Sequence, residues 1–169
     1  MNYHNNTSTS TGTGTSKPTG FFQRSLNLWD ALTRALNALQ PLAAFLARLY
    51  VAQVFFMSGL TKLRDWGTTV ALFTDEYHVP LLSPQVAAAL GTAGELVLPV
   101  LLVLGLGGRF SALGLFVVNF AAVISLSEIA PAAFQQHVFW GSLLAALAIF
   151  GLGPWSFDRW LAPRRYASF

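Results

Sequence analysis

The sequence predicts an all-α integral membrane protein, a four-transmembrane-helix bundle preceded by an N-terminal amphipathic interfacial helix. Three observations carry that prediction. Of 169 residues, 54% are hydrophobic and only 10% are charged, whereas a soluble surface calls for about 25% charged residues. Four apolar segments, 43–63, 86–107, 110–126 and 138–153, each approach the ~20 residues that a helix needs to cross a bilayer. A further stretch, 22–39, carries its apolar residues in helical rhythm on one face only.

Taken in order, residues 1–20 are mostly Thr, Ser, Gly and Asn, too poor in apolar surface to offset ordering entropy, and are read as a disordered cytoplasmic tail. They lack the charged start and apolar core of a secretory signal. Within 21–40, Phe22, Leu26, Trp29, Leu32, Leu36 and Leu39 recur at steps of three and four, with Arg24, Asn27, Asp30 and Arg34 on the other face. That pattern describes a helix lying in the membrane interface, expected to break at Pro41 before the first span. Residues 43–160 form the four-helix membrane domain.

Between the first and second spans the connection runs about 22 residues, long enough to suggest function. Asp65 is placed to cap a short helix there, continuing through Phe73 before Pro80 and Pro84. The third span ends near Ser127, and a turn containing Pro131 leads to the fourth. Gly151 to Pro154 stop that span, and Ser156 or Asp158 starts a last short helix. Trp155, Phe157, Trp160 and Tyr166 suit the headgroup region. Residues 161–169 are a short basic cytoplasmic tail.

Lys17, Arg24, Arg34, Arg109, Arg159, Arg164 and Arg165 fall on one side of the four spans, against Lys62 and Arg64 beside acidic residues on the other. The excess of basic residues marks the cytoplasmic side, so both termini are expected in the cytoplasm and the localisation as the bacterial inner membrane. Net charge is +3, but the basic residues are spread along the segment ends, which argues against nucleic acid as a partner. No cysteine occurs, which removes disulfides, thiolate metal sites and cysteine nucleophiles. Redox chemistry would therefore use a bound cofactor or partner subunits; self-association into a homo-oligomer is a further expectation.

Glu95 lies inside the second apolar segment, and an intramembrane carboxylate is costly enough to mark a site. Counted from the outer ends of the spans it lies roughly 13 Å deep, with Gln53 and Asn119 at about the same level. Arg48 sits about two turns nearer the cytoplasm, and its long side chain suits a buried pair with Glu95. Glu95 and Arg48 are thus the catalytic candidates. The alternatives for Glu95 are a proton-accepting or ligand-anchoring carboxylate, and a polar residue that joins helices without chemistry. Gln53 and Asn119 are candidate ligand contacts or interhelical hydrogen bonders. At the outer face, His78, Glu128 and His137 are candidate metal ligands, although they come from separate loops without a recognisable ligand spacing. Lys62 there also serves to anchor the first span at the interface.

Arg48-Leu49 through Phe56, Gly59, Lys62-Leu63, Gly94-Glu95-Leu96, the Leu-Val-Leu-Gly-Leu run ending at Leu106, and Arg109 together resemble the DoxX family of small bacterial membrane proteins. The likeness covers about 45–160. It implies a four-helix membrane domain and a membrane subunit of a quinone-linked oxidoreductase system, binding a small redox ligand or a partner subunit, with quinone as the implied cofactor. Arg48, Lys62, Glu95 and Arg109 are the functional positions that the resemblance carries over, Lys62 and Arg109 as ligand-binding residues. Asp65-Trp66 and Val79-Pro80-Leu81-Leu82 are similar to a subgroup associated with copper-linked peptide-modifying enzymes. That implies the rival reading, a non-enzymatic membrane component of a metal-stress or copper-linked peptide-maturation system.

Overall fold

The computed structural model describes residues 20–126, 128–153 and 155–161, apart from the side chains of Phe21, Phe22 and Arg159. The N-terminal tail, Ser127 and the basic C-terminal tail with Tyr166 lie outside the described residues. Among the described residues six helices follow in order: α1 Gly20–Arg64, α2 Trp66–Asp75, α3 Pro84–Leu104, α4 Arg109–Ser125, α5 Pro131–Phe150 and α6 Phe157–Leu161. Among the described residues the only extended pairing is an isolated bridge between Tyr77 and Leu126.

The chain divides into two units, Met1–Asn37 and Ala38–Phe169. In the first, Leu26, Trp29, Leu32 and Leu36 are all exposed on the helix. Pro41 does not end that helix as the sequence suggests: it lies inside α1. Proline removes one backbone donor, but its fixed φ is helical, and the flanking Ala and Leu residues are strong helix formers that carry α1 past it.

The remaining helix ends follow local chemistry. Asp65 caps α2, accepting from the Thr68 backbone N–H at 2.9 Å and from the Thr68 hydroxyl at 2.7 Å. These bonds hold its carboxyl below the usual carboxylate range, the backbone bond contributing most. Pro84 and Pro131 open α3 and α5, where no backbone donor is missed. Gly105 ends α3 at φ +69°, and the Leu106 N–H returns to the Leu101 carbonyl at 2.9 Å. A Cβ at Gly105 would stand 2.6 Å from Ser156 Cβ, so only glycine fits where the approach to α6 crosses the end of α3.

Among the described residues three helices are long and apolar enough to cross a membrane: the 23–64 part of α1, α3 and α5. α4 is apolar but shorter, at 17 residues. α5 starts at Pro131, about two turns before the apolar run in the sequence, because Pro131 supplies a helix start that periodicity does not register. Val97, Val100, Val117, Phe120, Ile149 and Phe150 all face outward, which suits hydrocarbon rather than water.

Inside the second unit, α4 packs against both α3 and α5, and α2 packs on α3. Val51, Phe55, Leu102, Leu115 and Leu144 form the centre, with the Phe55 ring 6.0 Å from that of Trp140. Small residues set the helix spacing. A Cβ at Gly59 would lie 2.9 Å from Leu96 and 3.1 Å from Glu95 Cβ, and one at Gly114 would lie 3.0 Å from Leu98.

Because Leu96 is contacted at its branch carbon, Cγ, Gly59→Val is expected to push α1 from α3 and lower unfolding stability by about 1–3 kcal/mol. Denaturant unfolding in detergent checks this; wild-type stability in the variant would refute the close approach.

Candidate functional site

A cavity of about 390 Å³ opens within the second unit, lined by α1, α2, α3, α4 and α5 and by the α2–α3 connection. Its size falls in the range of small-molecule pockets. Most of its wall is apolar, with polar groups at a few places: Ser58, Lys62, Tyr77, Glu95, Ser125 and His137.

The strongest of these is an ion pair. Lys62 Nζ lies 2.6 and 2.5 Å from the two Glu95 carboxylate oxygens and 3.3 Å from Ser58 Oγ. The side chains are 20% and 8% exposed, so most of the water that would screen the pair is excluded. Gly59 explains the pairing. It lets α1 lie against α3 at Glu95 and Leu96, and Lys62, three residues on and therefore on the same helix face, reaches back to the carboxylate.

Above the pair, Tyr77 stacks on Phe73 with ring centres 4.9 Å apart. The His78 N–H donates to the Ser125 carbonyl at 2.8 Å, which pins this connection to the end of α4. Burial raises the Tyr77 phenol above its ordinary range, and the negative charges of Glu95 and Glu76 add to the effect. The phenol is therefore neutral, and a donor, across the physiological range.

On α5, His137 lines the cavity and is held from behind by Asn119. Asn119 Nδ2 donates to the His137 carbonyl at 3.0 Å, and Asn119 Oδ1 lies 2.9 Å from His137 Nδ1. The imidazole stands edge-on to Trp140 at 5.1 Å.

The expected constellation is thus rearranged. Arg48 does not pair with Glu95. It lies against Gly105 at the opposite end of α3, fully buried, with Nη2 donating to the Trp155 carbonyl at 2.7 Å and its guanidinium 5.2 Å from the Phe45 ring centre. Its Nε and Nη1 have no partner among the described residues. The separation is geometric: Arg48 precedes Lys62 by 14 residues, roughly 21 Å along α1. Gln53 does not join Glu95 and Asn119 either. It is exposed on an outward groove with Pro99 and Val100, because depth along a helix fixes level but not face. Asn119 is buried as expected, but it holds His137 rather than lining the cavity.

Arg109 is exposed at the first turn of α4, away from the end of α4 that lines the cavity. His78 and Glu128 are exposed while His137 faces the cavity, and no cluster of three metal-ligating side chains occurs among the described residues. The three proposed metal ligands are therefore not brought together. Lys62 is not a solvated anchor, since its ammonium is committed to Glu95. Trp140 and Ser58 carry no functional signal in the sequence, and Phe73 marks there only the end of a short helix. The signal for Lys62 was its three-residue spacing from Gly59; for the aromatic wall there was none, since it is assembled from α2 and α5.

A family model described as DoxX matches residues 43–128. No curated protein and no solved structure matches the chain.

Lys62→Met would leave the Glu95 carboxylate without its partner, and the loss expected is about 3–5 kcal/mol, with much of it recovered in Lys62→Met/Glu95→Leu. A double-mutant cycle on unfolding measures this; additive losses would show the pair to be uncoupled.

Absorbance titration supplies a second check. A raised folded-state value for Tyr77 contributes stability that is complete below the ordinary tyrosine value of about 10 and is lost as pH rises beyond it, because the unfolded chain ionises first. Tyr77→Phe should abolish that part of the alkaline destabilisation, and an unchanged alkaline profile would refute the assignment.

Proposed function

The chain belongs to the DoxX family of integral membrane proteins, and from that premise we propose that it is a membrane subunit of a quinone-linked oxidoreductase, its cavity holding the ligand's head group. α4, though short, is taken as the fourth span. At 1.5 Å per residue its 17 residues reach roughly 25 Å, and Leu113, Val117 and Phe120 on its surface are exposed and apolar. The distribution of Lys and Arg supports both termini in the cytoplasm of a bacterial inner membrane, with the cavity toward the outer side. The exposed apolar residues of 23–37 support contact of this part of α1 with the membrane.

The observation that carries the proposal is a neutralised Lys62–Glu95 pair inside an otherwise apolar and aromatic cavity. A quinone head group is flat, with apolar faces and a polar rim. The Phe73–Tyr77 stack and Trp140 offer flat surfaces, while Lys62 supplies a donor and Glu95 an acceptor at the rim. A bound quinone would supply two-electron chemistry coupled to protons. Of the groups lining the cavity, the Glu95 carboxylate, with the Lys62 ammonium beside it, is taken as the one that accepts or gives a proton. Arg48, at the other end of the bundle, has no part in that chemistry; it ties α1 to the segment preceding α6. Electrons would arrive from a partner subunit, since the chain has no cysteine for thiol or iron–sulfur transfer.

Gentle purification from native membranes, solvent extraction and mass spectrometry test this. Wild-type protein is expected to carry stoichiometric quinone, and Glu95→Gln to lose electron transfer per molecule of folded protein, beyond any loss of abundance from the broken ion pair. Wild-type protein free of quinone, or full electron transfer in Glu95→Gln, would refute the proposal.

A further inference from the structure

The contact between Asn119 and His137 fixes which nitrogen of the imidazole carries its proton. Asn119 Nδ2 donates to the His137 backbone carbonyl at 3.0 Å. A carbonyl only accepts, so the amide is oriented with its oxygen toward the ring. That oxygen, 2.9 Å from Nδ1, is itself only an acceptor, and the proton of the neutral imidazole must therefore sit on Nδ1. Nε2 is left as a lone-pair nitrogen without a hydrogen-bond partner among the described residues, on a ring that lines the cavity. Gly141 makes the clamp possible, since a Cβ there would stand 3.1 Å from Asn119 Nδ2.

The cavity thus has two unlike polar points. The Lys62–Glu95 pair offers both a donor and an acceptor and suits a carbonyl or a hydroxyl alike. His137 Nε2 in this tautomer only accepts. A carbonyl oxygen turned toward it sets lone pair against lone pair, whereas a phenolic hydroxyl donates to it. α4 packs against both α3, which bears Glu95, and α5, which bears His137, so the two points flank α4.

We propose that His137 Nε2 accepts a hydrogen bond from a phenolic hydroxyl of the ligand, and that the cavity therefore prefers the reduced, dihydroxy form of a flat aromatic ligand to its oxidised, dicarbonyl form. The inference rests on the reading of the cavity as a quinone site and adds to it a binding residue and a redox-form preference. His137 lies on α5, beyond residues 43–128 matched by the family model.

The test uses full-length protein in lipid nanodiscs, without oxygen, at about pH 8, where an ordinary imidazole is neutral. A decyl-tailed benzoquinone and its chemically reduced quinol are titrated separately against tryptophan fluorescence. Wild type is expected to bind the quinol roughly ten-fold more tightly, the worth of one hydrogen bond in place of a repulsive contact. His137→Phe should bind both forms with equal affinity, and Lys62→Met should weaken both with the ratio kept. Independently of any cavity variant, nitrogen-15 histidine NMR of His4→Asn/His78→Asn protein, in which His137 is the sole histidine, should show the proton on Nδ1. A proton on Nε2, equal affinity of wild type for the two forms, or a preference that survives in His137→Phe would overturn the role of His137 while leaving the quinone site standing. Failure of wild type to bind either form would overturn both.

Discussion

A carboxylate in an apolar helical interior needs a positive partner within hydrogen-bonding distance, and the arrangement of the second unit is organised around meeting that need for Glu95. Lys62 is the partner. The pair forms because a residue without a side chain, Gly59, lets α1 come against α3 one helical turn before Lys62. With α1 and α3 set at that spacing, the adjoining space is walled by α4 and α5 and closed by Phe73 and Tyr77. The same exclusion of water that makes the pair strong makes the cavity suited to an apolar ligand with a polar rim.

The two ends of the bundle do different work. At the cavity end, polar groups are partnered but turned inward: Lys62 to Glu95, and Asn119 to His137. At the other end, Arg48 is buried beneath the crossing at Gly105, and it joins α1 to Trp155. The Asp158 N–H donates to the Gly105 carbonyl, and the Asp158 carboxylate accepts from the Gly107 N–H. That end is a fastening of helix termini, in which the Arg48 guanidinium ties α1 to the segment before α6.

The family match ends at residue 128, yet His137 and Trp140 complete the cavity wall. The ion pair thus lies within the shared segment, while the opposing polar contact comes from a helix beyond it.

Length, apolar composition and helical periodicity were enough to read the membrane class, the helical character of the chain, the Asp65 cap and the final short helix, because those depend on neighbours within a few residues. Glu95 was legible as a residue in need of a partner for a similar reason: a lone charge in an apolar run is costly wherever the run packs. Which cation would meet it was not legible. Arg48 and Lys62 lie on the same helix, and the choice between them turns on antiparallel register and on the close approach at Gly59, which are tertiary properties. Gln53 shares a level with Glu95 by counting but faces outward, since helical rise gives depth while rotation and packing give direction. The sequence by itself determined what kinds of groups would be buried; the packing of α1, α3, α4 and α5 decided which of them meet, because a hydrogen bond needs atoms within about 3 Å and sequence spacing constrains such distances only inside a single helix.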